Sequence, residues 1–445
     1  MSVSDQQGVN VAEAIGLNDL AEAAWRGELD LVHEHHPVHR GYQGSEEILP
    51  GVLASKGLAG IYVIDTGDGL VLLDGGTILD SDAVFEAVRS WRPDLPLRAV
   101  VFSHHHIDHI YSTGPFEAEA AERGWAPPTV YGHELMPDHF DRYRRTLGWN
   151  TAINKRQFAI HAPNFRWPSE YRYPDVTFGD GLSLRVGDLS FEMHHARGET
   201  DDHVWTWIPQ RRILHTGDLF IYAVPNAGNP QKVQRYVSDW AAALREMAAL
   251  EPDVLLPGHG LPIHGRDRIV TALSDTAALL ESIESQTLAL MNRGLTLDQV
   301  IHSVEIPGEL LAKPYLQPVY DHPQFLVRMV WRRYGGWWDG EPDNLLPAPR
   351  DQQAIEWVNL AGGVEAVLER TRELVASGDL RMACHLVEAA TMAAPDDEDV
   401  HRLRSEVYGA RSQEQMSSMA RNILNHAALA SQEGLRDLAA SPAYT

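Results

Sequence analysis

The chain has 445 residues, of which 44% are hydrophobic and 12 are tryptophan, so it can form more than one hydrophobic core. Its 62 acidic and 37 basic residues give a formal net charge of −25, which argues against nucleic acid or an anionic membrane as a partner. The single cysteine excludes an internal disulfide, and no stretch has the pattern of a membrane span or signal peptide, which predicts a cytoplasmic protein.

The predicted elements divide the chain into three parts. Residues 1–45 form an N-terminal extension with a helix from Asn18 to Gly27 and a histidine-rich stretch, interpreted as a surface or oligomer contact (His33, His35, His36 and His39). Residues 46–265 alternate β runs with helices, the pattern of an α/β protein built as an αββα sandwich. Residues 266–445 keep apolar residues at helical spacing without a convincing strand, which predicts an all-α domain.

The strands and helices of the α/β part are predicted from short apolar runs and from helical periodicity, respectively. The predicted strands are Gly60–Asp65, Leu70–Asp74, Ala99–Ser103, Val130–Gly132, Leu182–Val186, Leu189–His194, Val204–Ile208, Ile213–Thr216 and Val254–Pro257. The predicted helices are Ser81–Trp91, Gly114–Gly124 and Val237–Leu250.

A dense group of metal-binding side chains stands at the end of one predicted strand. Residues 103–110 read Ser-His-His-His-Ile-Asp-His-Ile. Alternation along the strand sends His104 and His106 to one side, while Asp108 and His109 lie on the turn beyond. Because imidazole and carboxylate ligands suit zinc and its first-row neighbours, this short segment predicts ligands for two adjacent ions.

Other segments of the chain carry further residues that could bind or support the metal ions. Asp74 begins an Asp-Gly-Gly turn after the first hairpin, Asp218 follows the strand from Ile213, and His259 lies in a Pro-Gly-His-Gly stretch. Between the histidine motif and Asp218, Glu199 is the candidate ligand, with His195 and His203 as its rivals.

The order and spacing of these segments resemble the signature of the metallo-β-lactamase superfamily. Most members have a histidine where this chain has Glu199, and a glutamate there is similar to the alkylsulfatases of the superfamily. The resemblance implies that Asp74 supports the histidine loop and that two divalent ions are bound. One ion would be held by His104, His106 and Glu199, the other by Asp108, His109 and His259, with Asp218 shared. Zinc is the expected metal, with manganese or iron as alternatives because a carboxylate replaces one imidazole.

The second half of the chain is similar to the helical dimerisation domain of alkylsulfatases. The resemblance lies in the helix end Glu281–Thr296 and in the Gly-Trp-Trp-Asp-Gly-Glu-Pro turn of Tyr334–Leu345. It implies a homodimer, with a hetero-oligomer as the alternative. Alkylsulfatases carry a further C-terminal lipid-carrier-like domain, for which this chain, ending at Thr445, has no counterpart. That difference argues against a long-chain, detergent-like substrate.

The expected catalytic residues are Asp108, His203 and Asn226. In the alkylsulfatases an asparagine and an arginine after the bridging acid hold the sulfate, and Asn226 matches the asparagine. Pro230 or Gln231 stands where the arginine would be, and this loss matters because arginine binds sulfate oxygens in a bidentate manner. Lys232 or Arg235 is a substitute, with a solvated helix face as the other interpretation. His203 is either a proton donor or a supporting residue.

These observations predict a dinuclear metal hydrolase that cleaves the sulfate ester of a small organic molecule. The alternative is a hydrolase of an uncharged carboxylic ester, lactone or activated aryl ether on the same metals. Aromatic residues near the site would line an apolar pocket for such a substrate, or belong to the core: Phe140, Tyr143, Trp149, Phe165, Trp167, Tyr171 and Tyr173. A second alternative is a non-catalytic subunit of a hetero-oligomer.

Overall fold

The computed structural model describes residues 16–29, 44–162 and 164–440. The predicted histidine-rich stretch at residues 33–39 lies outside this part of the chain. Helix α1 (Leu17–Trp25) occupies most of the predicted first helix. The described residues form two compact units, one of residues 16–29, 44–144, 168–294 and 300–334 and the other of residues 145–162, 164–167, 295–299 and 335–440.

A seven-stranded sheet opens the first unit. Its strands follow chain order: β1 (Ser45–Leu49), β2 (Val52–Lys56), β3 (Gly60–Asp65), β4 (Leu70–Leu73), β5 (Leu97–Val101), β6 (Thr129–His133) and β7 (Val176–Phe178). The strands from β1 to β4 pair antiparallel and those from β4 to β7 pair parallel. Because β4 and β5 are parallel, their carboxyl ends meet at one edge of the sheet, where Asp74 and the histidine motif both begin.

A six-stranded sheet forms the other half of the first unit. Its order is β13 (Ile263–His264), β12 (Val254–Pro257), β11 (Ile213–Gly217), β10 (Val204–Ile208), β9 (Leu189–His195) and β8 (Gly181–Val186). Only β11 and β12 pair parallel, so Asp218 and His259 follow neighbouring strand ends. The sheets meet where β3 faces β12, and the Tyr62 hydroxyl donates a hydrogen bond of 3.1 Å to the Pro257 carbonyl.

Helices cover the outer faces of both sheets, which confirms the predicted αββα sandwich. On the first sheet lie α2 (Ser81–Trp91) and α3 (Thr113–Arg123), followed by α4 (Met136–Arg145). Val84 and Phe116 from these helices are buried with Leu72 and Val100 of the sheet. On the second sheet, α6 (Val237–Ala249) packs along α7 (Arg266–Asn292), which contacts β12.

The helices that follow β13 confirm the predicted all-α region. After α7 they are α8 (Leu297–Ser303), α9 (Gly308–Leu311), α10 (Pro323–Gly335), α11 (Arg350–Leu360), α12 (Val364–Ala376), α13 (Leu380–Ala393), α14 (Glu398–Gln413) and α15 (Ser418–Gln432). Helix α5 (Leu147–Gln157) comes earlier in the chain. The second unit has its own apolar core, which includes Val358, Leu368, Val387, Leu403 and Val407. None of the described helices combines the length and apolar character that crossing a membrane requires.

Sequence periodicity missed several short or polar elements. Sequence patterns did not predict strands β1, β2, β7 and β13 or helices α4 and α5. Strands β7 and β13 were missed because they span only three and two residues, and α4 because charged side chains dominate it. Strand β5 ends at Val101, so His104 and His106 lie on the loop beyond it. The prediction that alternation along a strand orients these two side chains is therefore wrong. Helix α7 belongs to the same compact unit as the sandwich, although it follows residue 265 in the chain. The domain boundary at residue 265 stays a prediction.

Candidate metal centre

Asp74 anchors the loop that carries the histidine motif. It directly follows β4 with a left-handed φ of 60° and is fully buried. Its carboxylate accepts the Ser103 N–H at 2.7 Å, the Ser103 hydroxyl at 2.8 Å and the His109 Nδ1–H at 2.8 Å. The next residue, Gly75, tolerates no side chain, since a Cβ there would lie 2.0 Å from the Tyr111 carbonyl oxygen. The Asp-Gly-Gly turn thus joins the strand end to the loop.

Three imidazoles of the site, those of His104, His109 and His259, are oriented by hydrogen bonds at their Nδ1 atoms. His104 Nδ1 lies 2.9 Å from the Ser103 hydroxyl, which itself donates to Asp74. His259 Nδ1 donates to the Leu58 carbonyl at 2.9 Å, and His109 donates to Asp74. A proton fixed on Nδ1 leaves the Nε2 lone pair free to bind a cation, the arrangement that metal-binding histidines adopt.

The first group of potential ligands gathers around Glu199. Its Oε2 atom lies 3.6 Å from His104 Nε2 and 3.6 Å from His106 Nδ1. These two ring nitrogens are 2.9 Å apart. Asp218 completes the group with Oδ2 at 3.9 Å from His104 Nε2, and the ligand atoms lie within 4.8 Å of one another.

The second group consists of Asp108, His109 and His259. Asp108 Oδ2 lies 3.8 Å from His109 Nε2 and 3.4 Å from His259 Nε2. Asp218 also reaches this group, with Oδ1 at 3.3 Å from His109 Nε2 and Oδ2 at 3.4 Å from His259 Nε2. Its carboxylate therefore stands between the two groups. Gly258 permits this, because a Cβ at that position would lie 2.2 Å from Asp218 Oδ1.

The residues present fit two divalent cations. His109 Nε2, Glu199 Oε2 and Asp218 Oδ1 are buried and make no hydrogen bond within the described part of the chain. Buried polar atoms without partners are costly, and here they all point into one place. Burial alone would lower the pKa of His109, but the Asp218, Asp74 and Asp108 carboxylates raise it well above its usual value. The centre therefore attracts positive charge.

Glu199 is held from behind by two residues of the segment after β11. Arg235 Nη1 lies 2.8 Å from Glu199 Oε1 and donates at 2.6 Å to the Glu199 carbonyl oxygen. The Asn226 amide donates a short hydrogen bond to the same Oε1. Arg235 is only 2% exposed, so its interpretation as part of a solvated helix face is wrong. Because its guanidinium contacts the Glu199 carboxylate, Arg235 also does not fit the predicted role of substitute for the sulfate-binding arginine.

The two rival histidines occupy other positions. His195 Nε2 donates to the Asp201 carbonyl at 2.7 Å, and its ring stacks on His133 at 4.0 Å. His203 Nε2 accepts the Asp218 N–H at 3.0 Å, and its ring stacks on His104 at 4.7 Å. Burial lowers the pKa of His203 to about 4, so the ring is neutral. His203 was predicted to be either a proton donor or a supporting residue. This geometry fits the supporting role, because His203 binds the main chain of Asp218.

A buried network beside the motif was missed by sequence reasoning. His105 donates from Nδ1 to Asp202 Oδ1 at 2.9 Å, and its Nε2 accepts from Arg142 Nη2 at 3.1 Å. His105, His139 and Asp202 also bring potential ligand atoms close together, but both ring nitrogens of His105 are already engaged. No local motif links residues so far apart in the chain.

The predicted aromatic lining is partly core. Phe140 belongs to the buried core of the first sheet and stacks on Tyr171 at 4.8 Å, with Tyr173 at its edge at 5.2 Å. Tyr143 is buried with its ring 5.2 Å from that of His105. Among these residues, Tyr143 is therefore the one placed beside the histidine motif.

Comparison with known proteins defines the class. Residues 58–259 match the family model of the metallo-beta-lactamase superfamily, and residues 296–434 match that of alkyl sulfatase dimerisation. The sandwich, the ligand groups and these two matches make the chain a metallo-β-lactamase superfamily enzyme of the alkylsulfatase-like kind, which confirms the predicted family.

Individual relatives agree with this assignment. A linear primary-alkylsulfatase from Pseudomonas sp. is 27% identical over 353 residues, which cover 75% of this chain and 67% of that protein. An (R)-specific secondary-alkylsulfatase from Pseudomonas sp. is 27% identical over 435 residues, 90% of this chain but only 64% of that protein. The solved structure of the stereoselective inverting sec-alkylsulfatase Pisa1 from Pseudomonas sp. superposes with a TM-score of 0.82 at 25% identity, covering 93% of this chain and 70% of Pisa1.

Proposed function

We propose that the protein hydrolyses the sulfate ester of a small organic molecule at a centre of two divalent metal ions. The observation that carries the proposal is the bridging position of Asp218, 3.3 Å from His109 Nε2 in one ligand group and 3.9 Å from His104 Nε2 in the other. The alkylsulfatase relatives support the sulfate ester as the bond that is cleaved.

In this proposal His104, His106 and Glu199 hold the first ion, and Asp108, His109 and His259 hold the second. Zinc is the proposed metal, because imidazole and carboxylate are its ordinary ligands. When bound, such ions polarise an ester oxygen and acidify a water molecule. Asp74 and Ser103 keep the Nε2 atoms of His104 and His109 directed at the centre, while Arg235 and Asn226 hold Glu199 in place.

An uncharged ester, lactone or aryl ether is the second candidate substrate. Pro230 or Gln231 stands where the alkylsulfatases have their sulfate-binding arginine, and Arg235 is engaged by Glu199. Without an anion-binding group near the metals, a neutral substrate would be preferred. A sulfate ester is anionic and would need a positively charged residue near the metals, whereas the uncharged substrates would not.

We further propose that the protein is a homodimer. Large apolar side chains are exposed within the stretch that matches the dimerisation family, including Trp337 at 75%, Leu346 at 92%, Trp357 at 65% and Leu360 at 79% exposure. Clustered in one short stretch of sequence, exposed residues of this kind are typical of a surface that is covered by a partner.

Hydrolysis of matched nitrophenyl substrates tests the function. The purified protein, with its metal content measured, is given the nitrophenyl sulfate, acetate, phosphate and methyl ether. Turnover of the sulfate that is lost in His106→Ala supports the proposal, and turnover of only the acetate or ether supports the second candidate. Absence of any turnover with two metals bound would contradict both.

A further inference from the structure

We infer that Asp321, which follows all of the proposed ligands in the sequence, is a positioning residue for the first metal ion. It would act through Asn226, whose amide holds the Glu199 carboxylate. The inference rests on the proposed function, because it takes Glu199 as a ligand of the first ion. It gives a role in the metal centre to the stretch of chain that matches the dimerisation family.

Asn226 lies on a loop, residues 219–229, that is buried along its whole length. At the start of this loop, Trp240 Nε1 donates to the Leu219 carbonyl at 2.8 Å. Buried main-chain N–H and C=O groups need hydrogen-bond partners, so the groups that supply those partners determine where the loop lies. Around Asn226 the partners come from residues 317–326, which lead into helix α10.

Two main-chain groups on either side of Asn226 are fixed by this segment. Two residues before Asn226, the Val224 N–H donates to the Gln317 carbonyl at 3.0 Å. Two residues after it, the Gly228 N–H donates to Asp321 Oδ2 at 2.6 Å. The first contact joins main chain to main chain, whereas the second depends on the identity of one side chain. A substitution of Asp321 can therefore release one side of the loop.

The Asp321 carboxylate is well suited to hold a loop in place. It is fully buried, and its second oxygen, Oδ1, accepts the His322 N–H at 2.7 Å. Burial raises the pKa of Asp321 to about 7, although the main-chain donors oppose this effect. A buried polar group that is fully hydrogen-bonded makes its surroundings rigid, so this carboxylate fixes the main chain at Gly228.

The loop is also closely packed against the segment that carries Asp321. A Cβ at Gly228 would lie 2.4 Å from the Leu326 nitrogen, so only glycine allows the loop to approach the first turn of α10 this closely. Ala223 of the loop is buried in one apolar cluster with Val319. The hydrogen bond to Asp321 therefore forms within a packed contact.

Arg235, the other residue that holds Glu199, is supported separately. Its neighbour Gln234 donates from Nε2 to the Met329 carbonyl of α10 at 3.1 Å. Because this contact does not involve Asp321, loss of the Asp321 carboxylate should weaken the support of Glu199 without abolishing it. Residues 300–334 accordingly belong to the same compact unit as the sandwich.

The test is a zinc titration of the metal-free protein against a competing chelator at pH 8, which gives a dissociation constant for each ion. Glu199→Ala, which lacks a ligand of the first ion only, identifies the step that belongs to this ion. We expect Asp321→Ala to bind the first ion about tenfold more weakly and the second ion unchanged. Asp437→Ala is the matched control, because Asp437 accepts hydrogen bonds in the other compact unit and should not affect either ion.

A double variant tests the route through Asn226. If Asp321 acts by positioning Asn226, its loss should matter little once the Asn226 amide is gone. The variant with both Asp321→Ala and Asn226→Ala should then bind the first ion as weakly as Asn226→Ala alone, to within about twofold. A general loss of stability would instead weaken binding in both backgrounds alike, and such additive losses would overturn the inference.

The outcomes separate this inference from the proposed function. Two ions bound with wild-type affinity by Asp321→Ala, or equal weakening of both ions, would overturn the inference and leave the proposed activity standing. Selective weakening of the first ion in a protein that hydrolyses no sulfate ester would support the inference and contradict the activity. A wild type that binds fewer than two ions would contradict both.

A second substitution keeps the test decisive if Asp321→Ala does not fold. Asp321→Asn preserves the shape of the side chain, but its amide nitrogen cannot accept an N–H. The same selective weakening of the first ion is expected, and unchanged affinity for both ions in this variant would overturn the inference in the same way.

Discussion

Arg235 and Glu199 form a buried ion pair whose carboxylate also faces the first ligand group. One oxygen, Oε1, is 2.8 Å from the guanidinium, and the other, Oε2, is 3.6 Å from both His104 Nε2 and His106 Nδ1. Both side chains are nearly inaccessible to solvent. Glu199 therefore divides its two oxygens between a cation of the protein and the proposed metal, and the two positive charges together compensate its burial.

Replacement of Arg235 should destabilise the metal-free protein strongly. Arg235→Met leaves the Glu199 charge buried without its cation, and breaking a buried ion pair in this way costs about 3–5 kcal/mol. Urea unfolding of the metal-free variant measures this loss. Arg245→Met is the control, because the exposed pair between Arg245 and Glu281, at 2.7 Å, should contribute only about 0–1 kcal/mol. Equal losses in the two variants would contradict the importance of the buried pair.

Removal of Glu199 should reduce the bound metal from two ions to one. Glu199→Ala deletes a ligand of the first ion only, while Asp108, His109 and His259 remain for the second. Metal analysis of the dialysed protein measures the stoichiometry. His195→Ala is the matched control, since His195 stacks on His133 away from the ligand groups and the variant should keep both ions. A Glu199→Ala protein that retained its full metal content would disprove the ligand assignment.

Most of the proposed ligands could be recognised in the sequence because they follow strand ends in an order that resembles a known family, whereas Glu199 lies in the loop between β9 and β10. Asp74, the histidine motif, Asp218 and His259 all follow strands whose apolar runs are easily recognised, and parallel pairing brings those ends to one edge. The supporting contacts were not predictable in the same way. Arg235 and Glu199 are 36 residues apart, and nothing in the local pattern of either residue indicates that their side chains meet.

Polar helices and short edge strands escaped prediction for a related reason. Helix α4 places Met136 and Phe140 in the core, but its other positions are largely charged, so its apolar stripe is narrow. That helix also carries Arg142, so its contact with His105 in the histidine motif could not be predicted from the sequence. Periodicity identifies elements with broad apolar faces, such as the strands that precede the proposed ligands, but not a helix such as α4.

Asp74 should control the affinity for the second ion without contacting it. In Asp74→Asn the amide nitrogen cannot accept a hydrogen bond, so at least one of the donors from Ser103 or His109 loses its partner. Supporting residues of this kind contribute about 10–100-fold to metal affinity. Titration against a competing chelator measures the change. Asp68→Asn, on an exposed turn of the same hairpin, should leave the affinity unchanged, and an equal effect of both variants would contradict the proposed role.

The exposed apolar residues of the helical unit should determine the oligomeric state. Trp357→Glu places a charge on the surface proposed to bind the second copy, so we expect sedimentation velocity to show a shift from dimer to monomer. Leu79→Glu is the control, because Leu79 is 90% exposed but lies outside the stretch that matches the dimerisation family. A wild-type protein that is monomeric at micromolar concentration would contradict the homodimer itself.

Asp437 should make the stability of the helical unit depend on pH in the acidic range. Its carboxylate accepts from Arg156 Nη2 at 2.6 Å and from His426 Nε2 at 3.0 Å. Burial would raise the pKa of Asp437, but these two partners lower it well below its ordinary value. A carboxyl group whose pKa is lower in the folded protein stabilises the fold above its unfolded pKa of about 4, and this contribution disappears as the pH falls.

We therefore expect the free energy of unfolding of the wild type to decrease between pH 5 and pH 3 by about 1 kcal/mol more than that of Asp437→Asn. The asparagine variant should be less stable at pH 7, because its neutral side chain attracts Arg156 more weakly. Urea titrations at several pH values, followed by circular dichroism, give both quantities. Asp188→Asn, at a fully exposed position, should follow the wild-type curve. Parallel curves for wild type and Asp437→Asn would mean that solvent screens the contact with Arg156 and His426 almost completely, so that the low pKa has no counterpart in stability.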